Sequence, residues 1–140
     1  MTVARSRRVA APPDAVWALL ADPYALARWW PRVERVEGVT GDAWTTVLRS
    51  ARGRAVRADW RLEASEAPRR RAWSQELADT PFERVLAERR VEARVGEGEV
   101  RLELRQRARG WARFGGFLLR RAARRELDEA LDGLERALPT

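Results

Sequence analysis

The chain has 140 residues, a formal net charge of +7 and 28 basic residues, every one an arginine, and one domain of this size buries roughly 70% of the surface its unfolded chain exposes, enough for a single core with a modest cavity. Cysteine, histidine, lysine, asparagine and isoleucine are absent, which excludes disulfides, thiol or imidazole catalysis, Schiff-base chemistry and a zinc site of the usual nitrogen and sulfur type, so no cofactor or metal is expected. No apolar run reaches the ~20 residues needed to cross a bilayer and no signal-peptide core follows Met1–Arg8, so the expected location is cytoplasmic.

Val3–Val9 reads as a first strand, stopped by Pro12-Pro13. Proline suits the first turn of a helix because its missing N–H would be unpaired there, so a helix follows from about Pro13 to Leu20, burying Val16, Trp17 and Leu20. Asp22-Pro23 reads as an N-cap and first helical position of a second short helix that carries Leu26, Trp29 and Trp30 and ends at Pro31. From Val33 to Ala108 the pattern is period-two alternation with turn punctuation. Candidate strands are Val33–Val39, Trp44–Ala51, Arg54–Ala64, Arg71–Leu77, Phe82–Val95 and Glu99–Ala108, and the short connections between them imply antiparallel neighbours. Val56, Ala58, Trp60, Leu62 and Ala64 share one face against Arg57, Asp59, Arg61 and Glu63, so one face is buried and the other wet. After Gly110 the period becomes 3.6. Leu119, Ala123, Leu127, Ala130, Leu131, Leu134 and Leu138 fall on one arc of a helix running from about Ala112 to Leu138, which has only the apolar face of the sheet to cover it. The fold class is therefore α+β, one domain over residues 1–140.

Ala11-Pro12-Pro13-Asp14-Ala15-Val16-Trp17 and the segment continuing to Asp22-Pro23, together with Trp29-Trp30-Pro31 and Gly115-Gly116, resemble the START-like (SRPBCC) superfamily, in its polyketide cyclase/dehydrase-like branch. The resemblance spans the chain. It implies a helix-grip fold, in which a curved antiparallel sheet wraps a long C-terminal helix and leaves a cavity for a hydrophobic ligand. Members include lipid and quinone carriers, hormone sensors and aromatase/cyclases, so the fold does not settle the function.

Alternation places Trp60 and Trp73 on the inward face, where they suit the wall of an apolar cavity of roughly 300–1,000 Å³. The same alternation turns Gln75, Arg89 and Gln106 inward, and the helical arc brings in Arg120. Two glutamines and two arginines aimed at one interior suit a carbonyl, phenolate or carboxylate on an otherwise apolar ligand. No inward carboxylate stands on the strands beside Arg89, so a ligand oxygen is its expected partner. Glu63, Glu76, Glu88, Glu92 and Glu103 all face outward, leaving no pair for acid/base work, and no catalytic residue is assigned. Arg109, Arg113, Arg120, Arg121, Arg124 and Arg125 crowd the start of the last helix. They read either as a docking face for an acidic protein or as a solvated face paired with Asp128 and Glu129. Nucleic-acid binding is not expected, since only Trp111 and Phe114 lie near them. Three functions follow: a carrier or sensor of a small hydrophobic ligand, a cyclase/dehydrase-type enzyme using the same cavity, or an interaction protein.

Overall fold

A computed structural model describes residues 1–139. Strands β1 (Thr2–Arg8), β2 (Val33–Thr40), β3 (Ala43–Arg49), β4 (Ala55–Glu66), β5 (Arg70–Glu76), β6 (Leu86–Gly96) and β7 (Glu99–Ala108) form one antiparallel sheet in the order β1-β7-β6-β5-β4-β3-β2. Five hairpins build β2 to β7. The two edge strands are joined by helix α1 (Pro13–Ala21), a 3-10 turn (Pro23–Ala25) and the short α2 (Leu26–Trp29), which carry the chain from one edge to the other. The long α3 (Gly116–Ala137) lies across the concave face at the β1–β7 side and against α2. This is the helix-grip arrangement.

Local chemistry accounts for the joints. Pro13 opens α1 and Asp22 caps the 3-10 turn, its carboxylate accepting the Tyr24 N–H at 3.0 Å. The β6–β7 hairpin turns on Gly98 at φ 72°, a conformation cheap only for glycine. Between the sheet and α3 lie Val91, Ala93, Val100, Leu102 and Leu104 against Leu127, Ala130, Leu131 and Leu134, all essentially inaccessible to water. Each side chain of that size stabilises the fold by about 1.5–3 kcal/mol on burial, so this seam is where α3 is held.

Three expectations need correction. The last helix begins at Gly116, because Gly110 at φ 61° leads into a separate 3-10 turn over Gly110–Gly115. The strand expected over Phe82–Val95 begins only at Leu86. Pro81 starts a 3-10 turn through Arg84, and a bulge falls between Leu86 and Glu88, leaving Val85 48% exposed. Trp17 is half-buried, and Leu19 takes the core position beside Val16 and Leu20.

The convex face is not simply wet. Glu92 stands opposite Ala72 there, and both are buried beneath an ion-pair layer. Arg70 and Arg94 donate to Glu92 at 2.9 and 2.8 Å, and Arg90 bridges Glu92 and Glu63. Burial pushes the Glu92 carboxyl up, but the hydrogen bonds from Arg70 and Arg94 outweigh it and hold the group below the ordinary carboxylate value. Glu63 is lowered too, first by the Ser74 hydroxyl and then by Arg90.

Two outcomes test this account. A Cβ on Gly133 would collide with the Trp29 carbonyl, so Gly133→Ala should destabilise the protein by about 1–3 kcal/mol in urea unfolding despite alanine's better helix propensity. Glu92 has a depressed folded-state pKa, so its contribution is full above the unfolded value of about 4.3 and is lost as pH falls through the folded one. Glu92→Gln should therefore be less stable than the parent at pH 7, with the gap closing below about pH 4 in pH-dependent thermal unfolding.

Candidate functional site

Between the uncovered part of the concave face and α3 lies a cavity of about 420 Å³. Its floor is apolar: Trp60, Trp73, Leu48 and Val56 from the sheet, with Leu26 and Trp30 from the α2 end and Phe82 and Leu86 on the far side. Exposed Arg32, Arg49, Arg125 and Glu129 ring the outer end. Arg32 enters β2 directly after Pro31 at φ 67°, a left-handed conformation costly for a residue with a Cβ, and its carbonyl accepts the Arg49 N–H.

The register explains which side chains meet. Trp44, Trp60 and Gln75 are direct partners across β3, β4 and β5, and Arg89 pairs with Gln106 across β6 and β7. The β5–β6 ladder ends at Ser74 and Arg90, so Gln75 and Arg89 occupy the next rung of the same row. Indole and polar groups thus cross five strands in one line. Trp60 donates its Nε1–H to Thr46 Oγ1 at 3.0 Å, and the Thr46 hydroxyl in turn donates to the Ala58 carbonyl at 3.4 Å. Gln75 is different. Its Nε2 is buried in the cavity wall with no hydrogen-bond partner.

Arg89 points inward with its side chain 15% exposed, but its expected ligand partner is replaced by protein. Nη2 donates to Glu126 Oε2 at 2.6 Å and Nη1 to Gln106 Oε1 at 2.8 Å. The same Glu126 oxygen accepts the Trp30 indole N–H at 3.0 Å. The carboxylate comes from α3, so a search of neighbouring strands misses it; its signal was helical, because Ala122, Glu126 and Glu129 share a stripe beside the apolar arc.

Of the expected site residues, Trp60, Trp73, Gln75 and Arg89 stand in the wall, and Gln106 stands behind Arg89 as its acceptor. Arg120 does not belong there. It is exposed, and α3 lines the cavity only from Ala122 onward. Trp30 reaches the cavity, whereas Trp29 packs edge-on against it at 5.4 Å and sits under Gly133. A second inward cation escaped the sequence reading: Arg71, nearly buried over the Trp44 ring at 5.9 Å, with burial lowering its pKa. It lies outside the cavity wall.

The family described as polyketide cyclase / dehydrase and lipid transport matches residues 1–139. No curated protein matches the sequence significantly. Among solved structures, a START superfamily protein from Mycobacterium smegmatis superposes with a TM-score of 0.78 at 11% identity, over 98% of this chain and 96% of that one. The Zhui aromatase/cyclase from a Streptomyces species gives a TM-score of 0.72 at 22% identity, over 96% and 91%. The di-domain ARO/CYC protein BexL gives 0.77 at 26% identity, over 97% of this chain and 45% of that longer one. With its sequence matched from end to end and its sheet gripping α3 as theirs do, the chain belongs to the polyketide cyclase/dehydrase and lipid transport family of the START-like superfamily.

Proposed function

We propose that the protein binds a small, mostly apolar molecule that presents a hydrogen-bond acceptor, a carbonyl or hydroxyl oxygen, to Gln75. The observation that carries this reading is the Gln75 amide nitrogen, buried without a partner in the wall of a cavity whose floor is apolar. An unmade buried hydrogen bond costs about 1–3 kcal/mol, a cost that a ligand oxygen removes. Trp60 and Trp73 give the ligand flat apolar surface, and the cavity volume of about 420 Å³ suits a molecule of a few fused or linked rings or a short lipid-like chain. Arg89 is neutralised by Glu126, so the ligand need not be an anion.

A second reading is enzymatic, and one feature favours it. Glu126 and Glu129 bring carboxylates to the cavity that the strands do not supply. Glu126, however, is held between Arg89 and Trp30 by two hydrogen bonds to one oxygen, which suits positioning more than proton transfer.

Native mass spectrometry of freshly purified protein, followed by solvent extraction, should reveal a bound small molecule; apolar probes should change tryptophan fluorescence. Protein that carries nothing and gives no fluorescence response across a broad ligand panel would count against the reading. Gln75→Met keeps the side-chain volume and removes the orphaned donor, so stability should hold or rise by about 1 kcal/mol while affinity for the extracted ligand falls ~10-fold. Equal affinity would place the polar anchor elsewhere. Arg89→Met and Glu126→Gln should each cost about 1–3 kcal/mol in unfolding, because each leaves a polar partner stranded, and the double variant should lose less than their sum. If Glu126→Gln abolishes turnover of a cavity-bound substrate while leaving its affinity intact, the enzymatic reading replaces the carrier reading.

A further inference from the structure

The largest exposed apolar side chains gather at one place. Trp111 is 89% exposed, Phe114 70%, Phe117 74% and Leu118 67%, all within eight residues of the 3-10 turn and the first turn of α3. Trp111 and Phe114 touch at 5.8 Å and Arg113 lies over the Phe114 ring at 5.1 Å, so the rings form one cluster with a cation at its edge. Val85, 48% exposed, belongs to the same end, since the Arg109 N–H donates to its carbonyl. A monomer does not normally leave four such side chains in water without a use for them.

The charges around the cluster are equally unusual for this protein. No acidic residue occurs between Glu103 and Glu126. Arg109, Arg113, Arg120, Arg121, Arg124 and Arg125 fall in this acid-free stretch and enter no ion pair among the described residues; Arg8 and Arg69 elsewhere are also unpaired, so it is the density of cations without a nearby acid that sets this segment apart. Asp128, a sequence candidate to neutralise this helix face, binds Arg5 of β1 instead. Of these cations only Arg109 and Arg113 precede the positive N-terminal end of α3, where the isolated protein gains nothing from them and an external anion would gain from both.

We propose that this Trp-Phe-Phe-Leu cluster and its arginine collar form a docking surface for an anionic lipid bilayer. Protruding aromatic rings enter the headgroup boundary in any lateral register, and guanidinium groups around them pair with phosphates. A protein partner would need a pocket matched to Trp111; a bilayer does not. The surface also leads somewhere. Leu118 and Ala122 are i,i+4 neighbours on one face of α3, Ala122 is the first α3 residue in the cavity wall, and Arg125 one turn on stands at the cavity's outer end. Docking here sets the cavity mouth at the membrane boundary, the side from which an apolar ligand enters or leaves without crossing water.

The inference is tested without any cavity ligand, so its failure and that of the binding reading are separate results. Sedimentation with phosphatidylcholine vesicles containing roughly one-third phosphatidylglycerol should capture the protein at low salt, at least ~10-fold better than vesicles of phosphatidylcholine alone. Binding should weaken by ~10-fold or more at about 0.5 M salt, and tryptophan emission should shift to shorter wavelength on binding. The Trp111→Ser, Phe117→Ser double variant should lose at least ~10-fold in partitioning with its circular dichroism and thermal midpoint unchanged. Should that variant fold poorly, Arg120→Glu with Arg124→Glu, at exposed positions, should abolish the preference for anionic vesicles. Equal binding to neutral vesicles, undiminished binding by either variant, or no vesicle binding overturns the proposal. So does a dimer in solution that the aromatic variant dissociates, which assigns the cluster to a second copy, or salt-sensitive capture by an acidic protein without vesicle binding, which assigns it to that partner.

Discussion

One helix cannot cover seven strands. An α-helix with its side chains is about 10 Å across, whereas seven strands span roughly 30 Å. Here α3 is fixed at the β1–β7 side, because Leu127, Leu131 and Leu134 interlock with Val100, Leu102 and Leu104 and because Arg7 of β1 reaches Asp132 and Glu135 at 2.8 and 3.0 Å. The α2 contact through Gly133 holds it from the other side. The inner surface of β3 to β5 is then left uncovered by α3, with large side chains such as Trp60 and Trp73 partly filling the space. A cavity is the geometric remainder of that mismatch, and its volume is set by how far those side chains reach.

That remainder has a polar line across it because strand register, once set by hairpins, carries same-face residues into rows. Trp60, Gln75, Arg89 and Gln106 are far apart in sequence but fall on consecutive rungs. Trp60 is satisfied by Thr46, and Arg89 and Gln106 by each other with Glu126 added, while the Trp44 indole N–H at the head of the row is buried without a partner but lies outside the cavity wall. Closing the Arg89 end this way makes the row rigid and electrically quiet. It concentrates the unmet hydrogen bonding of the wall in a single amide, Gln75, beside the two indoles. A cavity so arranged discriminates by where an acceptor sits on an apolar body, not by net charge.

Much of this was legible in the sequence, for an identifiable reason. Alternation over residues 55–62 and Glu99–Ala108 survives because those stretches are hairpin-paired without a bulge of their own, so inward positions such as Trp60 and Gln106 could be counted directly; past Leu62 a bulge pairs Ala64 with Ala72 and turns it to the convex face, against the expectation that it shares the inward face. Arg89 kept its inward place even though its strand carries a bulge, because the bulge at Leu86–Glu88 lies on the N-terminal side of it and leaves the run from Arg89 to Val95 in phase. The failures were of another kind. Periodicity says which way a side chain points and nothing about what it meets across the core, so Glu126 could not be matched to Arg89. It also cannot show where a helix stops touching its sheet, so Arg120 was carried inward along an arc that the fold abandons before Ala122. Burial on the convex face was hidden for a similar reason: Glu92 is covered by Arg70, Arg90 and Arg94, whose long aliphatic stems supply apolar cover that no hydrophobic pattern registers.

Composition also hides how acids are distributed among the arginines. Arginine stands at every basic position, so residue type does not distinguish one from another. Glutamates and aspartates are spaced through the strands so that the convex face is neutralised locally, and Asp128, Asp132 and Glu135 do the same where α3 crosses β1. They stop at Glu103 and resume at Glu126, which leaves the stretch with the most exposed aromatic surface as the stretch with uncompensated positive charge. Self-repulsion and exposed apolar area both cost stability in water, and they coincide in one segment beside the cavity opening. A segment that carries both costs at once is best explained by a surface that relieves both at once, apolar within and anionic outside.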